Sequence, residues 1–323
     1  MADLGESGDL DTAWRTLRAG LIENRWLLTS RSTALPGLGS TALAVYDGVA
    51  ALLSRTARET FGPEVTPLRF PPVFSAHMLE QTDYVASFPQ LAGTINSFRG
   101  GQGEYRDLIA TYGRGDDWQP LFSPTGLALT PAACHPLYAW LEDGEVDHTR
   151  LYELTGDCFR HEPSEDPMRF VAFRMREYVR LGTAEQAMTH REQWLAIARS
   201  LYETLGLEVD IVPANDPFFG RGGILLAANQ RRDEAKWEVV TEVYPGTPCA
   251  IGSGNYHDTH FGDEFGLRLP DGSTAHSACF GFGMDRTILA LPPATGSTRR
   301  RGPARCRSSS ASRGSALVLA RSG

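Results

Sequence analysis

Apolar residues recur at helical spacing in two long stretches of this chain. Over 41–60, Leu43, Tyr46, Val49, Ala50 and Leu53 fall on one stripe, and Gly62-Pro63 stops the pattern. Over 184–205, Trp194, Ile197, Leu201 and Leu205 do the same. A further helix is expected over 10–28, and a shorter one over 130–141 after the loop signal Ser123-Pro124-Thr125-Gly126. Shorter apolar runs at 209–212, 237–243, 249–253 and 275–282 read as strands. Arg69-Phe70-Pro71-Pro72-Val73-Phe74 is extended, because a residue that precedes proline avoids helix. At 154–181 two strand-like stretches flank a turn at 163–168 and make a hairpin. Arg286 opens a last helix, which Pro292-Pro293 ends. The strands are joined mostly by hairpin-length turns. That predicts an α+β fold, an antiparallel β-sheet flanked by helices, and not a doubly wound parallel sheet.

The hairpin carries chemistry. Alternate residues of a strand share a face, so Arg160 and Glu162 point one way, and so do Arg169, Phe173 and Glu177 on the returning strand. Arginine forks suit phosphate oxygens, and an aromatic ring suits a purine. More than a hundred residues on, Gly281-Phe282-Gly283-Met284-Asp285-Arg286 offers another arginine behind two glycines.

Composition narrows the classes. At 323 residues and 41% hydrophobic content the chain suits one large globular domain. It shows no signal peptide and no apolar run of membrane-spanning length, so a cytoplasmic protein without a membrane partner is expected. Five scattered cysteines make no disulfide framework. The net charge of −8 argues against a dedicated nucleic-acid binder. Residues 292–323 hold seven arginines and no acid, which leaves the rest at about −15. Their low complexity marks a disordered or aberrant tail. Lys236 is the single lysine. A hydrogen-bonded structural role is the commoner fate of histidines such as His257, His260 and His276.

Phe159-Arg160-His161-Glu162 followed by Arg169, Phe173 and Glu177 resembles the second motif of class II aminoacyl-tRNA synthetases, and Gly281-x-Gly283-x-x-Arg286 resembles the third. The helix before Arg69 with the proline-ended strand at 69–74 is similar to the first motif. Ser253-Gly254-Asn255 looks like the seryl branch, so the resemblance spans about 41–290. It implies a class II synthetase-like antiparallel sheet over 41–291, preceded by an N-terminal helical segment over 1–40. Seryl enzymes carry a long N-terminal coiled coil for tRNA. The forty residues here show no sustained heptads. Together with Lys236-Trp237-Glu238, Asn255-Tyr256-His257 and the block from Ala278 to Arg286, this resembles the amino acid:carrier-protein ligases. That family activates glycine or alanine with ATP and passes the aminoacyl group to the phosphopantetheine thiol of a carrier protein. No tRNA is then expected. A seryl-tRNA synthetase-like enzyme that charges tRNA, and a non-catalytic paralogue used for binding or regulation, are the alternatives.

The resemblance implies roles. Arg160 grips the α-phosphate, Glu162 reads the adenine amino group, Phe173 stacks on the ring, and Arg286 closes its other face and reaches the γ-phosphate. Arg169 is a pyrophosphate ligand or a solvated arginine. Lys236 and Glu238 are site candidates or strand-edge charges. The resemblance also implies Zn2+ on Cys134, Glu177 and Cys279, and Mg2+ with the nucleotide. Thiolates and a carboxylate suit zinc, and three ligands leave one position for the substrate amine. From spacing alone the metal stays open, because no Cys-x-x-Cys occurs and Cys158 and His135 compete. A homodimer is implied, and Arg221, Arg231 and Arg232 are candidates for docking an acidic carrier, with solvated surface arginines as the rival.

Overall fold

Trp194 fixes how the sheet meets its helices. Its ring stacks on Tyr178 at 3.8 Å between centroids and lies against Phe280 and Phe282 at 6.3 and 5.9 Å. It sits on α7 (Ala184–Thr204), which Thr183 starts: the Thr183 hydroxyl accepts from the Gln186 amide while the Gln186 side chain returns to the Thr183 amide. Tyr178 lies on one strand and Phe280 with Phe282 on its neighbour, so one aromatic knob locks two strands to one helix.

The computed structural model describes residues 5–214, 216 and 235–294. The strands are β1 (Leu27–Leu28), β2 (Gly37–Leu38), β3 (Val65–Leu68), β4 (Val73–Ser75), β5 (Thr94–Ser97), β6 (Ser123–Leu129), β7 (Leu151–Phe159), β8 (Ala172–Gly182), β9 (Asp210–Pro213), β10 (Lys236–Tyr244), β11 (Thr247–Asp258) and β12 (His276–Gly283). Among the described residues the helices are α1 (Gly5–Glu23), α2 (Ser40–Phe61), α3 (His77–Gln81), α4 (Tyr84–Ser87), α5 (Gln102–Gly113), α6 (His135–Trp140), α7, α8 (His260–Glu264) and α9 (Met284–Ala294). A seven-stranded sheet runs β3-β7-β8-β12-β11-β10-β9. Its pairs are antiparallel except β3 with β7, which is parallel and so departs from the purely antiparallel expectation. The physical reason is connectivity: the long excursion through β4, β5, β6 and α6 separates β3 from β7 and permits a crossover. The extended segment at 69–74 passes from β3 to β4, which belongs to a separate sheet ordered β4-β6-β5.

Helices α2, α7 and α9 cover one face of the large sheet. The α2 stripe is Ala42, Val49, Leu53 and Ala57, whereas Leu43, expected in the core, is 43% exposed. It lies one residue, about 100°, off the stripe that Ala42 leads. Trp14, Leu17 and Leu21 of α1 and Leu27 of β1 join the same core, so α1 and β1 pack on the body of the large sheet. A second core lies on the opposite face of the sheet, with Cys134, Leu137, Tyr138, Cys158, Val179, Phe261 and Cys279. The last helix continues through Pro292 to Ala294, since the φ of proline suits a helix and the cost is the missing N–H donors. Arg221, Arg231, Arg232 and the arginine-rich residues from 295 onward lie outside the described residues. Among the described residues no helix is long and apolar enough to cross a membrane.

Candidate active site

Strand register builds the floor of a single cavity. Glu238 pairs with Ser253, Ser253 with Gly281 and Gly281 with Glu177, so one row crosses four strands. The adjoining row is Lys236, Asn255 and Cys279. Paired residues share a face, so these side chains rise together. Gly281 and Gly283 are therefore strand residues of β12 and make no turn. A Cβ on Gly281 would stand 3.1 Å from the Met175 methyl and 3.5 Å from Glu177, narrowing the floor. The cavity above is about 450 Å³ and is lined by Arg160, Glu162, Arg169, Phe173, Lys236, Glu238, Arg286, Cys134, Glu177 and Cys279. Every candidate site residue on the described part of the chain reaches it.

The arginines are held by the backbone around them. Arg160 follows β7, donates from Nε to the Pro131 carbonyl at 3.0 Å and lies 5.4 Å from the Phe173 ring centroid. Arg286 donates from Nε to the Met168 carbonyl at 2.7 Å and from Nη1 to the Ala250 carbonyl at 3.0 Å. Arg169 lies in the connection and not on β8, so strand parity does not orient it. Instead it pairs with Glu162 at 2.8 Å. Lys236 is buried between Asp216, which accepts a short hydrogen bond from it, and Glu238 at 3.3 Å.

Cys134, Glu177 and Cys279 place their ligand atoms within 4.8 Å of one another, all buried. Residue 134 comes from the start of α6, 177 from β8 and 279 from β12. The Ala133 amide donates to Glu177 at 2.7 Å. Burial pushes the Glu177 carboxyl up to about 7, with the Cys279 sulfur adding to the rise. A hydrogen bond between the two thiols holds Cys279 well below the usual thiol range and Cys134 well above it. His257 stands 3.7 Å from Cys279 through Nε2 and 3.1 Å from Ser277 through Nδ1, and Asn255 donates to Cys279 at 3.5 Å. Cys158 stands apart from the three, and burial raises its thiol. His257 and His260 line the cavity, while His276 bonds to Tyr256 at 2.8 Å and faces Asp258 at 2.9 Å. Burial lowers His135 to about 3, with Arg160 adding to the fall, so its ring is neutral.

Sequence reasoning missed Arg174 and Asp285. The Asp285 carboxylate accepts from the Arg174 amide at 2.6 Å, from Nε at 3.3 Å and, through its other oxygen, from Nη2 in a short bond. This fork ties β8 to the first turn of α9, beside Arg286. The available signal was an acid next to the arginine of Gly-x-Gly-x-x-Arg. It also missed the wall from α4 and the residue that follows it, where Tyr84 and Phe88 line the cavity.

A row of arginines, an aromatic ring and a carboxylate around one cleft, on an antiparallel sheet flanked by helices, define a class II aminoacyl-tRNA synthetase-type core. The Methanopyrus kandleri seryl-tRNA synthetase, solved in complex with A. aeolicus tRNASec, shares this fold with a TM-score of 0.73 at 22% identity, over 86% of this chain and 57% of that one. Cryptosporidium parvum prolyl-tRNA synthetase matches with a TM-score of 0.59 at 13% identity, over 86% of this chain and 51% of that one. No family model matches the chain. Amino acid–acyl-carrier-protein ligase 2 of Bradyrhizobium diazoefficiens is 40% identical over 262 residues, 79% of this chain and 77% of that protein. Ligase 1 of the same organism is 37% identical over 267 residues, 82% and 81% of the two chains. The chain belongs to the amino acid–acyl-carrier-protein ligase family and is a ligase.

Proposed function

We propose that this ligase joins a small amino acid, glycine or alanine, to AMP and then to a carrier protein. In the first step the amino-acid carboxylate attacks the α-phosphorus of ATP and pyrophosphate leaves. In the second the phosphopantetheine thiol attacks the adenylate carbonyl carbon, AMP leaves, and the thiol proton is released. The observation that carries this proposal is the convergence of Arg160, Arg286, Glu162 and Phe173, from distant parts of the chain, on one cavity. The names of the two Bradyrhizobium relatives supply the acceptor.

Both first-step reactants are anions, so cationic forks that neutralise and align them supply much of the catalysis. Arg160, half-buried and anchored on Pro131, binds the α-phosphate. Phe173 and Arg286 sandwich the adenine, and Glu162 accepts from its amino group once Arg169 turns from Glu162 to the pyrophosphate. Lys236 and Glu238 border the amino-acid side of the row. Magnesium accompanies the phosphates. The two thiols and carboxylate of Cys134, Cys279 and Glu177 fit a zinc ion, because two soft sulfurs and one carboxylate oxygen stand buried and close together, a mixture that suits a borderline cation. These three residues would hold the ion, which would supply a Lewis acid for the substrate amine. Asn255 and His257 hold the Cys279 sulfur in place.

A homodimer suits the exposed apolar face of α5, which buries none of its own residues and presents Tyr105, Ile109 and Tyr112 at helical spacing. Carrier docking at Arg221, Arg231 and Arg232 is part of the same proposal. The test is ATP–pyrophosphate exchange with glycine, alanine and serine, followed by transfer to a phosphopantetheinylated carrier or to tRNA. Exchange with glycine or alanine and transfer to the carrier are expected. No exchange with any small amino acid removes the activity, and charging of tRNA instead of the carrier removes the acceptor.

A further inference from the structure

The loop between β7 and β8 is held from outside the sheet, by the N-terminal segment. On α1, Arg18 donates twice to the Glu165 carbonyl, from Nε at 3.0 Å and Nη2 at 2.7 Å, and once to the Thr33 carbonyl, from Nη1 at 2.7 Å. Arg15, on the same helix face, stands 3.5 Å from the Glu165 carboxylate. The next residue, Asp166, is buried and accepts from the Tyr244 hydroxyl and, at 2.9 Å, from the Met168 amide. The Met168 carbonyl in turn accepts from Arg286 at 2.7 Å. At the far end of the loop the Val171 amide donates to the Ala34 carbonyl at 3.2 Å, and the Val171 carbonyl accepts from the Arg160 amide at 2.9 Å. Arg18 and Ala34 thus grip the loop at its two ends, and the loop's carbonyls at Met168 and Val171 accept from the two arginines of the cavity.

A carbonyl that anchors a guanidinium is only as fixed as its own peptide. If the loop samples other conformers, Arg286 loses one of its two carbonyl anchors and keeps only Ala250, and nucleotide binding has to restore the other. We infer that Arg18 is a positioning residue for the nucleotide: it touches no substrate and acts through Glu165, Asp166 and Met168 on Arg286. The inference rests on the cavity being the ATP site.

Its test compares the full-length chain with Arg18→Gln, Arg18→Lys and Tyr244→Phe. Calorimetry gives the ATP Kd without amino acid, pyrophosphate exchange gives KM for ATP and for the amino acid, and urea unfolding gives stability. Arg18→Gln should raise the ATP Kd and KM roughly tenfold, the loss of about one charge-assisted hydrogen bond. It should leave the amino-acid KM within about twofold and kcat nearly unchanged, because the metal side of the cavity is untouched. Arg18→Lys should restore part of the affinity, since an ammonium cannot fork across Glu165 and Thr33 at once. Tyr244→Phe should shift ATP affinity in the same direction by severalfold. If Arg18 only staples α1 to the core, stability falls while ATP affinity stays, or both KM values move alike; either result overturns the inference. If Arg18→Gln does not fold, an unchanged ATP Kd in both Arg18→Lys and Tyr244→Phe overturns it. A wild-type chain that binds no ATP sinks the ATP-site proposal itself, which is a separate outcome.

Discussion

Replacing Asp285 by alanine should cost the fold about 2–4 kcal/mol and weaken nucleotide binding together. The Asp285 side chain is 4% exposed and takes three donors from Arg174, one of them the backbone amide. Removing one partner of a buried pair strands the other charge, typically at about 3–5 kcal/mol. Here Arg174 keeps 26% of its side chain in solvent, and its guanidinium lies 5.1 Å from the Tyr46 ring centroid. Water and the ring recover about 1 kcal/mol, which sets the lower estimate. Asp285→Asn keeps the shape and one acceptor for the amide, so it should lose about half as much. The assay is urea unfolding of both single variants, of Arg174→Met, and of the double variant Arg174→Met with Asp285→Ala. Asp285→Ala strands the guanidinium and the backbone amide of residue 174, Arg174→Met strands the Asp285 carboxylate, and the double change leaves only the amide without its acceptor. The double variant should therefore be more stable than the sum of its parts by about 1–3 kcal/mol. Asp285 adjoins Arg286 and Arg174 adjoins Phe173, so the ATP KM should rise in the singles. A loss within about 0.5 kcal/mol for Asp285→Ala, or strict additivity in the cycle, would refute the claim that this fork ties β8 to α9.

Arg160→Ala should slow pyrophosphate exchange on the order of 10²–10³-fold, as loss of an oxyanion-type donor does, with unfolding close to wild type; a rate within about tenfold of wild type would take Arg160 out of the chemistry. Cys134→Ser or Cys279→Ser should each abolish bound zinc in elemental analysis while Cys158→Ala retains it, and equal zinc in all three would discard the ligand set. Burial lowers His190 to about 3, and its Nε2 donates to the Tyr178 carbonyl at 3.0 Å. Its folded value lies below the unfolded one near 6.5, so its contribution is full above about pH 6.5 and is lost as pH falls toward 3. His190→Gln should flatten the acid side of the unfolding free energy by about 1.4 kcal/mol per pH unit, and an unchanged slope would contradict the neutral buried ring.

The hairpin residues were legible because their spacing is local. Phe173 and Glu177 share a strand face by parity, and β8 holds both on the cavity side. Arg169 was misplaced on that strand because β8 begins only at Ala172. Leu43 was misread because two adjacent stripes of small and large apolar residues run along α2, and only the docked helix shows which one faces the sheet. The parallel β3–β7 pair was invisible, since turn lengths report only on neighbouring strands. The Arg174–Asp285 fork joins residues 111 apart, and no periodicity connects them.

Strand alternation, helix stripes and the two arginine motifs are properties of neighbouring residues, so the chain alone determined the α+β class, the β7–β8 hairpin and the family resemblance. Which cysteines meet a carboxylate is a different kind of fact. Cys134 reaches Glu177 and Cys279 only because α6 lies over β8 and β12, and those strands pair in a register that sets Gly281 beside Glu177 and Cys279 beside Val179. A shift of one residue would turn Glu177 to the Trp194 side of the sheet. Register between strands a hundred residues apart is chosen by the packing of both cores at once, and that choice exists only in the folded molecule.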